Sequence, residues 1–187
     1  MFRKLLVANR GEIALRVLRS CRDLGIGGVA VYSEVDRDSL HVRHADEAYL
    51  IGPGPASESY LNAAKILEVA KKARVDAIHP GYGFLAENAD FAQACRENGI
   101  TFVGPSPESI RLLGDKIKAR RLMSEAGIQV VPGSKELATT NMAALAAHRI
   151  GYPLLVKAAS GGGGKGIRAV YRAEELPIAL EVAGREA

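Results

Sequence analysis

Apolar positions along the first hundred residues alternate between two patterns. Short runs such as Lys4–Ala8, Gly28–Tyr32, Ala48–Ile51, Ala77–His79 and Thr101–Val103 are nearly continuous and predict buried strands. Between them lie amphipathic stretches. In 12–24, Ile13, Val17, Cys21 and Leu24 share one face, while Glu12, Arg16, Arg19 and Asp23 share the other at favourable i,i+4 spacing. Gly25 supplies a stop. A second helix is predicted over Tyr60–Ala73, with Leu61, Ala64, Leu67 and Ala70 as core candidates, and a third over Glu87–Asn98 before Gly99. This alternation of strand and helix predicts an open, mostly parallel sheet covered by helices, with ligands beyond the carboxyl ends of its strands.

The pattern changes after Gly114. Lys116–Ala126 reads as a helix that Asp115 can cap and Gly127 ends. Beyond Pro132-Gly133-Ser134 come a helix near 142–150, an apolar run Leu154–Ala158, the segment Ser160–Gly166, a second run Ile167–Tyr171 and a helical stretch from Glu174. Two strands and two helices make a thin α+β core. The expected division is therefore an α/β domain over 1–113 and a truncated, loosely attached α+β unit over 114–187, the front part of something longer.

Composition narrows the functions. The chain has 187 residues, 48% hydrophobic and 25% charged, which suits one domain and part of another. A net charge of +4 is interspersed, with no basic stripe alternating with aromatics, which argues against nucleic acid. No apolar run approaches the ~20 residues of a membrane span. Cys21 and Cys95 fall on apolar helix faces without a CxxC or Cys/His cluster, so reduced, buried thiols in a cytoplasmic setting are expected; the four histidines lack metal-ligand spacing.

The segment Gly161-Gly162-Gly163-Gly164-Lys165-Gly166 carries the most chemical information. Without Cβ atoms, successive N–H groups can turn toward one anion, and lysine adds a cation. The spacing Gly161-x-Gly163-x-x-Gly166 matches a dinucleotide fingerprint on paper, but it opens an alternating, β-branched run rather than a helix. A P-loop would need Gly where Ala159 stands and Ser or Thr where Gly166 stands. A hairpin over nucleotide phosphates is left, beside the plainer alternative of a surface hairpin. Lys157, inside an apolar strand, favours the phosphate reading because lysine is rarely buried without a partner. Lys116 opposes its helix dipole by ~0.3–1 kcal/mol unless both face an anion. Tyr82 and Phe84 project from the turn His79–Asn88 or fold back on the core, and Asn9-Arg10-Gly11-Glu12 reads as a tight turn into a helix.

The ordered set Val7-Ala8-Asn9-Arg10-Gly11-Glu12-Ile13-Ala14, Ala45-Asp46-Glu47, His79 through Asn88, Gly104-Pro105, Gly114-Asp115-Lys116, Val131 through Ser134, Gly151-Tyr152-Pro153 and Val156 through Gly166 resembles the biotin carboxylase family, the ATP-grasp components of acyl-CoA and pyruvate carboxylases. The resemblance implies a Rossmann-like pre-ATP-grasp domain followed by the start of an ATP-grasp lid. It implies ATP-phosphate contacts from Lys116 and Lys157, and a flap, Gly161, Gly162, Gly163, Gly164, Lys165 and Gly166, that closes over the nucleotide. Tyr82 and Gly83 are implied beside the biotin pocket, and Arg16, Arg19 and Asp23 in a homodimer contact. ATP and Mg²⁺ would be the cofactors, biotin a carrier-bound substrate, and a biotin carrier and a carboxyltransferase the partners. The family's metal carboxylates have no counterpart in 1–187, so the chain by itself is expected to be inactive. Another ATP-grasp ligase of the carbamoyl-phosphate synthetase kind, and a non-catalytic subunit-binding module, are the alternatives.

Overall fold

The computed structural model describes residues 2–131, 133–134, 139–157 and 166–185, without the side chains of 116 and 117. Two compact units divide it, Met1–Asp115 and Lys116–Ala187.

The first unit is a parallel sheet of β1 (Lys4–Val7), β2 (Gly27–Ser33), β3 (Glu47–Gly52), β4 (Ala77–His79) and β5 (Thr101–Phe102), in the order β3-β2-β1-β4-β5. Register is set by pairs such as Val7 with Ala30 and Leu5 with Ala77. The period of two sends Leu6, Val29, Val31 and Ile78 to one face and Leu5, Val7, Ala30 and Ala77 to the other. Helices α3 (Ala63–Ala73) and α4 (Ala89–Glu97) close the first face through Ile66, Val69, Ala70, Phe91 and Cys95. Helix α1 (Gly11–Asp23) closes the second through Ala14, Val17, Leu18 and Cys21. Both cysteines are buried and free, and burial pushes the Cys95 thiol up to about 11. A short α2 (Leu40–His44) follows β2, and α5 (Pro107–Gly114) starts at Ser106, whose hydroxyl accepts from the Ser109 N–H at 3.1 Å.

Two helical faces differ from the sequence expectation. Helix α3 begins at Ala63, capped by Asn62, and not at Tyr60; Leu61 is 44% exposed, and Ala64 is exposed too. Of the four core candidates, Ala70 lies in the buried stripe with Ile66, Val69 and Ala73, and Leu67 packs beside it; Leu61 precedes the helix, and Ala64 falls off the stripe because residues three apart drift about 60° per step around a helix of 3.6 residues per turn. In α1 the stripe runs through Ala14 and Leu18, leaving Leu24, past the helix end, 63% exposed.

The second unit contains α6 (Lys116–Glu125), α7 (Thr140–Ile150), β6 (Leu154–Lys157), β7 (Ile167–Val170) and α8 (Leu176–Arg185). Strands β6 and β7 pair antiparallel, Leu154 with Val170 and Lys157 with Ile167, as expected for a hairpin. Ala147, Val170, Leu176 and Ala179 form its small core. The glycine segment 161–165 lies outside the described residues.

Candidate functional site

In the order β3-β2-β1-β4-β5, chain direction across the sheet reverses between β1 and β4. The connections leaving these two strands part there and leave a crevice at their carboxyl ends. The connection Asn9–Ile13 leaves β1 and the turn Pro80–Phe84 leaves β4; Asn9 to Ile13 and Tyr82, Gly83 and Phe84 line a cavity of about 360 Å³.

Asn9 ties the two together. It is 3% exposed, and its amide donates to Pro80 O at 2.7 Å and Tyr82 O at 2.8 Å while its Oδ1 accepts from the Arg10 N–H at 2.9 Å. Its side chain also requires Gly81: a Cβ there would sit 2.7 Å from Asn9 Nδ2, and φ is +66°. His79 Nδ1 accepts from the Gly81 N–H at 3.0 Å, so a neutral His79 carries its proton on Nε2. Burial lowers the pKa of that imidazole.

The two aromatics of the turn separate. Phe84 folds back and stacks on the buried Tyr60, with centroids 5.2 Å apart. Tyr82 remains 61% exposed above the cavity, its hydroxyl donating to Glu12 Oε1 in the first turn of α1. Arg10 caps both inner rings, 5.3 Å from the Tyr60 centroid and 5.5 Å from that of Phe84. Behind it, Asp36 Oδ2 accepts from Ser33 Oγ and Tyr60 Oη, each at 2.7 Å, and faces Arg10 Nη1 at 3.5 Å. Burial alone would raise the Asp36 carboxyl; the hydroxyl bonds and the Arg10 charge outweigh it and hold its pKa low. Burial and the bond to Asp36 push Tyr60 up to about 12.

His41 stands beneath this network, 1% exposed, with Nε2 at 3.3 Å from Val31 O and Nδ1 without a hydrogen-bond partner among the described residues. Burial lowers its pKa and Arg10 adds to this; the Val31 carbonyl and Asp36 oppose it without reversing it. A lowered folded pKa means that the unfolded chain binds the proton first, so stability is lost as pH falls through about 6.5. His79 acts in the same direction. Denaturation midpoints should therefore drop between pH 7.5 and 5.0, and His41→Gln should remove part of that drop. An equal drop in both proteins would exclude His41 as a contributor.

Of the residues singled out in the sequence, Tyr82 and Gly83 sit in this crevice, while Arg16, Arg19 and Asp23 line the exposed side of α1, with Arg16 donating to Ser20 Oγ at 2.7 Å. Lys157 is exposed at the end of β6, not buried in it, because a two-stranded ribbon leaves a face uncovered. Lys116 opens α6, and Gly166 (φ +70°) precedes β7; Gly161, Gly162, Gly163, Gly164 and Lys165 lie outside the described residues. Sequence reasoning reduced Asn9 and Arg10 to a turn and missed Ser33, Asp36 and Tyr60. The pair Ser33-x-x-Asp36 directly after a strand was the available signal.

A switch-point crevice on a Rossmann-like parallel sheet, followed by a unit built on an antiparallel ribbon, defines a pre-ATP-grasp domain joined to the beginning of an ATP-grasp domain. Residues 1–110 match the family "Biotin carboxylase, N-terminal domain", and the chain belongs to that family. Residues 115–187 match "Carbamoyl-phosphate synthase L chain, ATP binding domain". Biotin carboxylase 1 of Bacillus subtilis is 54% identical over 188 residues, covering 100% of this chain and 42% of its own. The biotin carboxylase of Halalkalibacterium halodurans is 58% identical over 177 residues, covering 94% of this chain and 39% of its own. The biotin carboxylase domain dimer of Hydrogenobacter thermophilus 2-oxoglutarate carboxylase, crystallised with MgADP, ADP and bicarbonate, superposes with a TM-score of 0.92 at 52% identity, over 100% of this chain and 41% of that one. The chain thus spans about two fifths of the length of these relatives.

Proposed function

We propose that this chain is the N-terminal part of a biotin carboxylase, which uses ATP and bicarbonate to carboxylate biotin on a carrier. The observation that carries this reading is similarity along essentially the whole chain to proteins of that name, one of them a domain holding MgADP and bicarbonate. Tyr82 and Gly83 present the biotin side of the site. Lys116, Lys157 and the segment Gly161–Gly166 present cations and N–H groups to the ATP phosphates, where anionic charge is stabilised by positioned donors. Among the described residues no group of three or more His, Cys, Asp or Glu side chains could hold a metal ion.

The reading implies a biotin carrier and a carboxyltransferase as partners, a second copy meeting Arg16, Arg19 and Asp23, and a cytoplasmic setting. Among the described residues, no helix is long and apolar enough to cross a membrane. The match of 115–187 to a carbamoyl-phosphate synthase domain fits another ATP-grasp ligase equally well, but residues 1–110 favour biotin.

The test is ATP cleavage by the natural gene product containing residues 1–187. Cleavage should require both biotin and bicarbonate, and indifference to biotin would overturn the reading. Lys116→Ala and Lys157→Ala should each lower kcat/KM for ATP by about tenfold or more, since a charge-assisted bond is worth about 1.5–3 kcal/mol. Residues 1–187 alone should show no biotin-dependent cleavage.

A further inference from the structure

The turn that carries Tyr82 is strained. Gly81, Gly83 and Phe84 have φ of +66°, +68° and +40°, and Phe84 carries a Cβ. A non-glycine residue in that region is disfavoured and persists only where its surroundings over-determine it. Two groups hold Phe84: the Tyr60 ring beneath it and the Arg10 guanidinium against it. Both engage Asp36, which accepts from Tyr60 Oη at 2.7 Å and faces Arg10 Nη1 at 3.5 Å. Asp36 is in turn anchored by Ser33 Oγ at 2.7 Å, and Tyr60 Oη accepts from the Ser33 N–H at 3.0 Å. Asp36 itself does not line the cavity.

We propose that Asp36 is a positioning residue for biotin: through Arg10 and Tyr60 it locks Phe84, and thereby fixes the turn that presents Tyr82. The inference rests on the biotin carboxylase reading. Asp36→Asn keeps the size and one acceptor oxygen but removes the charge that draws Arg10. Arg10→Lys keeps a cation but loses the flat guanidinium over the two rings.

The experiment measures ATP cleavage against biotin in the natural gene product. Both variants should raise KM for biotin at least fivefold, leave KM for ATP within twofold, and be non-additive when combined. A residue needed only for folding would lower the melting temperature and leave KM for biotin unchanged, and that result, or parallel changes in both KM values, overturns the proposal. If Asp36→Asn does not fold, Ser33→Ala should shift KM for biotin in the same direction by a smaller factor, and no shift overturns the proposal. A wild-type protein without biotin-dependent cleavage would remove the biotin reading instead. Amide exchange in the 187-residue chain then decides the positioning claim. The Ala86 N–H, which donates to Gly83 O at 2.8 Å, should exchange at least tenfold faster in Asp36→Asn, with Val29 and Ala30 in β2 unchanged. Unchanged exchange at Ala86 overturns it.

Discussion

Asn9→Asp should lower the melting temperature of the 187-residue chain by about 10–20 °C, although the two side chains are nearly the same size. The native amide spends both of its N–H bonds on carbonyls, Pro80 O at 2.7 Å and Tyr82 O at 2.8 Å. A carboxylate keeps the Oδ1 bond from the Arg10 N–H and turns its other oxygen toward two acceptors. The site is 3% exposed, so water cannot screen the conflict. Each buried group left without a partner costs about 1–3 kcal/mol, more when charged, so the total is on the order of 2–5 kcal/mol. In a domain of this size one kcal/mol moves the midpoint by about 4 °C or more. The carboxyl pKa should rise, because both burial and the facing carbonyls disfavour its charged form. Its protonated form can donate to one carbonyl, so the deficit relative to wild type should narrow between pH 7.5 and pH 5. A fall of less than about 3 °C at pH 7.5, followed by circular dichroism, would show that Asn9 does not hold the two loops together.

The sheet was legible in the sequence because parallel strands buried on both faces are short, continuous and apolar. Ala77–His79 coincides with its prediction, and Lys4–Ala8 differs from β1 by one residue. Helix starts were less legible. Tyr60 carries an apolar ring at a position that continues the helical period of the following residues, yet it belongs to the loop before Asn62, where its hydroxyl is needed by Asp36 and Ser33. Periodicity reports which side chains can share a face; it does not report which of them a hydrogen bond has claimed. The same reason hides the site. Arg10, Asp36 and Tyr60 lie far apart in sequence and meet only because β1, β2 and the segment after β3 end at one side of the sheet. Tyr82 could be singled out because its neighbours Gly81 and Gly83 mark a constrained turn. The divergence of Tyr82 and Phe84 could not, since it depends on the Tyr60 ring lying under only one of them.

Gly52→Ala should be as damaging as Asn9→Asp, from a position outside the cavity. Gly52 ends β3 at φ +149°, and a Cβ there would lie 2.4 Å from Glu58 O and 3.3 Å from the Glu58 carbonyl carbon. The obstacle is backbone and cannot swing aside as a side chain would. Backbone strain in this region costs about 1–3 kcal/mol and overpacking about as much again. The displaced segment also matters to the site. Ala56–Glu58 forms a single tight turn, pinned by the Leu61 N–H to Ala56 O at 2.8 Å and by Ser59 Oγ to Pro55 O at 2.8 Å, and it delivers Tyr60 beneath Phe84. Moving Glu58 therefore moves the ring on which the Tyr82 turn rests. A melting temperature lower by about 10 °C or more is expected; on the proposed biotin carboxylase reading, KM for biotin in the natural gene product should rise with it. Gly25→Ala separates the two causes: φ is +69° there but nothing lies within 4 Å of the added carbon, so only the conformational penalty of about 1–2 kcal/mol applies. If Gly52→Ala proves no worse than Gly25→Ala, the close approach of Glu58 is not what requires glycine, and the segment carrying Tyr60 yields more easily than its hydrogen bonds imply.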